Sequence, residues 1–353
     1  MPQLYSYLGD VRQELGDIPA AEAAYRRAFS SALAREGPDH ADTIQTEQRL
    51  GAMLFDTSRT FEGIQTMRSA LERAIRARGA DDSFHVPNVR VVFGYRLMQM
   101  GILEEGLTFT HEAVSIYRKY RPTNPALAAW LEIEMYGLDS LDRRKEADDR
   151  LTEAAALLSP LPRTDPMLKN YALFDLEHLI SEGHAAEAAD LVSQAGLSST
   201  LKAGLLTRME LREILLVAEC ARVNGHAERA AAIARQVREA IQADSGRQYF
   251  SVFEAKAALI EAKALLASRR ASEALPLAQA AVTGFSALYD RKLSPVLSDA
   301  QIALANCYLA LSQPEHAPSL LASAEAIQAA HRDLGAQYTE PLRKLRAQLK
   351  TGK

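Results

Sequence analysis

One small residue returns along this chain at an almost fixed interval. It stands as Ala21, Gly63, Gly106, Ala147, Ala188, Ala230, Ala274 and Ala317, so successive spacings run only from 41 to 44 residues. Seven residues further on a second small position recurs as Ala28, Ala70, Ala113, Ala154, Ala195, Val237, Ala281 and Ala324. Two small positions seven apart share one face of a helix, and a face of that kind lets a neighbouring helix approach closely. A chain of 353 residues exceeds one ordinary globular core, and a periodic array is the way such a length folds without splitting into unrelated domains.

The first unit shows what surrounds the small residues. Tyr5, Leu8 and Gly9 precede a Leu15-Gly16-Asp17 turn, after which come Ala20, Ala21, Tyr25 and Ala28. Gly9 and Ala21 fit where two antiparallel helices cross, and Leu8, Tyr25 and Ala28 fill the seam. Gly16 supplies a left-handed turn and Asp17 a helix cap. The turn recurs as Met100-Gly101, Glu182-Gly183 and Asn224-Gly225, while three other units use Arg143-Arg144, Arg269-Arg270 and Gln313-Pro314.

This spacing resembles that of tetratricopeptide repeats. The linker Gly37-Pro38-Asp39-His40-Ala41-Asp42-Thr43 is similar to the signature of the kinesin-light-chain type, departing at Ala41, where that family has proline. The resemblance covers about residues 2–334. It implies an all-α, right-handed superhelix (an α-α solenoid) of about eight helical hairpins, each lengthened by roughly two helical turns over the 34-residue unit. Residues 335–353 are expected to form a capping helix and a basic tail: Leu342, Leu345 and Leu349 face the last hairpin, and Arg343, Lys344, Arg346 and Lys350 face water. Nothing comparable precedes Tyr5, which leads to the expectation that the chain is part of a longer protein. Bacterial proteins with this repeat resemble the sensing or scaffolding arms of kinases and transcription regulators.

Composition narrows the function. A net charge of −4 lacks the field that binds nucleic acid without other help. No stretch of 18 apolar residues occurs, and the first residues lack the pattern of a signal peptide, so the expected compartment is the cytoplasm, with no membrane partner. Cys220 and Cys307 share one repeat position and read as small core residues. Phosphate-loop, zinc-protease, nucleophile-elbow and kinase motifs are missing, and His331-Arg332-Asp333 reads as a solvated helix end. The eight histidines are scattered, with His184 and His226 in turn positions, so no metal and no cofactor are expected.

What remains is the inner face, which the resemblance assigns to the first helix of each repeat. In the first four repeats the register puts Gln3, Ser6, Asp10, Gln13, Gln45, Gln48, Phe55, Asn88, Val91, Tyr95, Met98, Glu132, Tyr136 and Asp139 there. In the last four it puts Asn170, Leu173, Glu177, Arg212, Glu219, Arg222, Lys256, Leu259, Lys263, Asp299, Ile302 and Asn306. One reading has Arg212, Arg222, Lys256 and Lys263, with Asn306, clamping a carboxylate or phosphate of an extended peptide while Tyr95 and Tyr136 hold its apolar side chains. The other has a solvated face balanced by Glu177 and Glu219, with the tyrosines packed between repeats. The lysine and asparagine pattern of chaperone-type carboxylate clamps is not reproduced. The expected partner is therefore a protein or peptide bound without catalysis; the alternative is a receptor whose pitch changes on binding a small ligand or signalling peptide.

Overall fold

The computed structural model describes residues 2–80, 82–202, 204 and 206–351. These form seventeen α-helices and two short 3-10 turns, with no strand among the described residues. The first eight helices are α1 (Pro2–Glu14), α2 (Ile18–Glu36), α3 (Ala41–Asp56), α4 (Thr60–Arg78), α5 (His85–Met100), α6 (Leu103–Tyr120), α7 (Ala126–Ser140) and α8 (Arg144–Leu158). The others are α9 (Pro166–Glu182), α10 (Ala185–Gln194), α11 (Arg208–Val223), α12 (Ala227–Ala243), α13 (Ser251–Ala267), α14 (Ala271–Leu288), α15 (Pro295–Ala310), α16 (Ala317–Ala329) and α17 (Ala336–Thr351). They group into two compact units, residues up to 137 with 148–160, and residues 138–147 with those from 161 onward.

The small-residue register falls where close packing demands it. Ala21, Ala147, Ala188, Ala230, Ala274 and Ala317 have no accessible surface, and Gly63 and Gly106 are likewise buried. The second small position is also sealed at Ala28, Ala70, Ala113, Ala154, Val237, Ala281 and Ala324. Ala195 is the exception. Helix α10 stops at Gln194, so Ala195 lies beyond its end and is exposed rather than part of a contact face.

Each hairpin turns through one residue in the left-handed region, five before the small residue. Glycine fills that place at 16, 101, 183 and 225, with φ between 72° and 98°. Ser58, Asp142, Arg269 and Ser312 fill it in the other four hairpins, with φ between 53° and 67°. The turn residues are thus Asp142 and Ser312, each one place earlier than the Arg143 and Gln313 expected from sequence. Asp17 caps α2 by accepting from the Ala20 N–H at 3.3 Å. His184 and His226 occupy the same slot, yet neither side chain makes a capping bond.

The kinesin-light-chain-like linker is a capping device. The His40 ring accepts from the Asp42 N–H at 3.2 Å, the Thr43 hydroxyl donates to the Gly37 carbonyl at 2.7 Å, and Asp39 pairs with Arg76. Both cysteines are buried core thiols, and burial pushes Cys307 up to about 12. His331 is not solvated as expected: its ring is buried and lies 2.7 Å from the Leu293 carbonyl.

Candidate functional site: the charged inner face of the second unit

In the second unit the first helices of successive hairpins pack side by side, α9 on α11, α11 on α13 and α13 on α15. Their shared face carries the expected basic residues, but three of the four are already matched. Arg212 donates to Glu177 at 3.1 Å and lies 4.2 Å from the Phe174 ring centre. Arg222 holds Glu219 through two bonds of 2.8 and 2.6 Å, and Lys263 is bonded to Asp299. Burial would push the Glu219 carboxyl up, but Arg222 and Lys263 together hold it below its ordinary value.

Lys256 stands apart. Among the described residues it has no hydrogen bond and no ion pair, and it is partly buried. Burial pushes its ammonium down; Glu177 opposes that shift, while Arg212 and Arg208 add to it. Asn306 on α15 likewise has no hydrogen-bond partner among the described residues and is partly exposed. Other residues assigned to this face by register turn into the core instead: Leu173, Leu259 and Ile302 are buried, as are Phe55, Val91 and Met98 in the first unit. A strict helical spacing cannot separate an inward-pointing side chain from one that wedges between helices.

The centre of the face is held by a residue from outside the repeats. Tyr338, in the first turn of α17, is hydrogen-bonded to Ser140, and its phenol is pushed up by burial and by Glu177 on α9 and Asp299 on α15. Helix α17, which carries Tyr338, packs against both α9 and α15. The approach to Tyr338 is non-helical: residues 333–335 run along the end of α7, where the Gly335 N–H donates to the Ser140 carbonyl at 3.1 Å. Gln337 donates to the Asp139 carbonyl at 3.2 Å, and Gln328 to the Tyr338 carbonyl at 2.7 Å. A side chain at 335 would start 2.6 Å from the Asp139 carbonyl oxygen, so only glycine fits. Beneath this contact, Nδ1 of His178 lies 2.8 Å from Asp139, whose carboxyl burial pushes up, His178 pulling the other way.

Tyr95 and Tyr136 belong to the first unit. Their rings meet edge to face with centres 5.8 Å apart, and the Arg96 guanidinium sits 5.3 Å from the Tyr95 ring centre and 5.2 Å from that of Phe55 while pairing with Asp56 at 2.9 Å. Both tyrosines are half-buried. A shallow depression of about 630 Å³ in this unit is lined by α2, α3 and α4 residues including Arg26, Phe29, Glu47 and Thr66; Phe55, Tyr95 and Tyr136 are not part of it. Among the described residues no cluster of three potential metal ligands is found, and no helix is long and apolar enough to cross a membrane.

No protein-family model and no curated protein matches the chain. Among solved structures it is similar to a putative kinesin light chain from Podosopora anserina with nearly identical TPR-like repeats, at 18% identity and a TM-score of 0.42, over 58% of this chain and 97% of that one. It is similar to a tetratricopeptide repeat protein from Parabacteroides merdae, at 11% identity and 0.34, over 99% and 97%. It is also similar to a signal transduction ATPase with numerous domains and a tetratricopeptide repeat sensor from Pyrococcus horikoshii, at 13% and 0.42, over 92% and 47%. These likenesses concern fold alone. With its recurring helix crossings, left-handed turn residues and capped final hairpin, the chain has the fold of a tetratricopeptide-type α-solenoid with its repeat lengthened to about 42 residues.

Proposed function

We propose that this chain is a non-catalytic interaction module that holds an extended segment of a protein partner on the curved inner face of its second unit, as the sensor or scaffold arm of a bacterial signalling or regulatory protein. The observation that carries this reading is the state of the charges on that face. Arg212, Arg222 and Lys263 are neutralised internally, and Lys256 is left as a partly desolvated cation with no ion pair of its own among the described residues, the Glu177 carboxylate whose charge it feels being bonded to Arg212. An acidic side chain or terminal carboxylate from a partner would supply the missing charge, and Asn306 would add donor and acceptor groups to its backbone.

The test is affinity capture from the source organism with the full chain as bait, alongside Lys256→Glu and Asn306→Ala, followed by titration of the captured protein. Binding weakened at least tenfold by Lys256→Glu at unchanged melting temperature supports the reading; a partner held equally by all three forms removes it. Reversing Arg222 and Lys263 is a poorer probe, because new carboxylates there would face Glu219 and Asp299 and disturb the fold.

A further inference from the structure

The first helices of the second unit form a row in which each packs on the next, from α9 through α11 and α13 to α15. A row joined neighbour to neighbour is soft along its length, because small rotations at each contact add up. Helix α17 takes that freedom away, since it packs against both α9 and α15, the first and last members of the row. Its two attachments differ in kind. On the last hairpin Leu342 and Leu345 share one apolar cluster with Ile302, Ala305, Ala317 and Ala324, Gln328 donates to the Tyr338 carbonyl at 2.7 Å, and Arg346 pairs with Glu325 at 2.5 Å.

The end of α7 holds the same segment by hydrogen bonds. The Gly335 N–H donates to the Ser140 carbonyl at 3.1 Å, Gln337 donates to the Asp139 carbonyl at 3.2 Å across 198 residues of chain, and the Tyr338 phenol is bonded to Ser140. Such bonds exchange with water at little net cost, whereas separating an apolar cluster exposes its surface. The closure therefore opens at α7, with α17 leaving as part of the last hairpin. It also borders the charged face. Glu177 on α9, bonded to Arg212, and Asp299 on α15, bonded to Lys263, lie on the two helices that α17 bridges, and both act on Tyr338. Lys256, partly buried on the intervening α13, feels the same Glu177.

We propose that residues 335–345 are an autoinhibitory clasp on the inner face of the second unit. Closed, the clasp holds α9 and α15 at a fixed separation and restricts entry to Lys256; released from α7, it lets the row spread and admits the acidic segment of a partner. This deepens the function proposed above and rests on its reading of Lys256 as the point of contact.

Access to the face can be timed without any partner. The full chain carrying Lys256→Cys is treated with a sulfonate-bearing thiosulfonate, a small anionic thiol reagent, and labelling at each position is followed by mass spectrometry. It is compared with two released forms. Gly335→Val starts a side chain 2.6 Å from the Asp139 carbonyl oxygen, and Gln337→Ala/Tyr338→Phe removes side-chain bonds to α7 while adding no bulk, so the second form decides where the first does not fold. Labelling at position 256 should be about tenfold faster in the released forms, because the rate follows the open population. The buried Cys220 and Cys307 should stay unlabelled, and Glu228→Cys, exposed on α12, should react at one rate throughout. Equal rates at position 256 in the parent and the released forms overturn the proposal, as does labelling of Cys220 and Cys307 in the released forms, which would mean that the hairpins themselves have loosened. A partner indifferent to Lys256→Glu would remove the proposed function and leave the labelling result standing, so the two failures are distinct.

Discussion

In the first unit, the second and third hairpins cross on pairs of glycines, Gly51 with Gly63 and Gly94 with Gly106; in the last three hairpins of the second unit the same crossings are made by alanines. Ala218 meets the register of Ala230, Ala262 that of Ala274 and Ala305 that of Ala317, all with no accessible surface. A Cβ added at Gly63 would stand 2.5 Å from the Phe55 nitrogen and 2.6 Å from the Gly51 carbonyl oxygen, both main-chain atoms. One added at Gly94 would stand 2.6 Å from the Gly106 carbonyl oxygen. The repeat register is thus the same in both units, while the residues that meet at these crossings differ by one methyl group each. The glycine crossings have no slack, because backbone cannot rotate away as a side chain can.

The largest effect should follow from adding that methyl. Gly63→Ala forces the α3 and α4 backbones apart and should cost about 3 kcal/mol. The chain's single tryptophan, Trp130, packs 4.3 Å from the Tyr117 ring centre in the first unit, so its fluorescence should show an earlier urea transition there. The reciprocal change, Ala230→Gly, removes a methyl that its crossing accommodates and should cost about 1 kcal/mol from chain entropy and lost packing. Equal costs for the two would erase the distinction between the units. Ala230→Leu sharpens it from the other side, overpacking the α11–α12 crossing by about 1–3 kcal/mol; a neutral result would mean that the register assigned to the second unit is wrong.

The crossings were legible in the sequence because only small residues fit them, and their interval survives every other change along the chain. Three things were not. The left-handed turn positions at Ser58, Arg269 and Ser312 carry residues with no preference for that conformation, so tertiary packing imposes it; only Asp142 is of a type that visits it readily. Ala195 keeps the spacing but not the contact, because α10 ends one residue before it. Tyr338 lies outside the repeat, so no periodic argument could bring it onto the inner face. The ion pairs there were half visible: Glu177 and Glu219 were candidates to balance the arginines, but which cation stays unmatched depends on neighbouring helices.

The turn positions give the next smaller effect and compare hairpins within each unit. A side chain held in the left-handed region carries about 1 kcal/mol of strain that glycine does not. Arg269→Gly should therefore stabilise the second unit by up to about 1 kcal/mol, and Ser58→Gly should do the same for the first. Gly183→Ala should lose a similar amount, since nothing crowds that position and backbone conformation alone resists the change. Chemical denaturation of the three variants against the parent checks both signs at once.

The smallest effect concerns Asp139, at the end of α7 beneath the Gly335 contact. Burial raises its folded-state pKa above the ordinary aspartate value, and His178 offsets only part of that shift. A carboxyl with a raised folded-state value stabilises the protein fully below the unfolded pKa of about 3.9, and this contribution is lost as pH rises through the higher folded value. Asp139→Asn cannot ionise and so removes this slope while keeping a group that bonds His178. Melting temperatures of parent and variant, followed from pH 4 upward, should therefore diverge in the variant's favour as the parent's carboxyl ionises. A difference that stays constant with pH would mean that Asp139 keeps one charge state across the range.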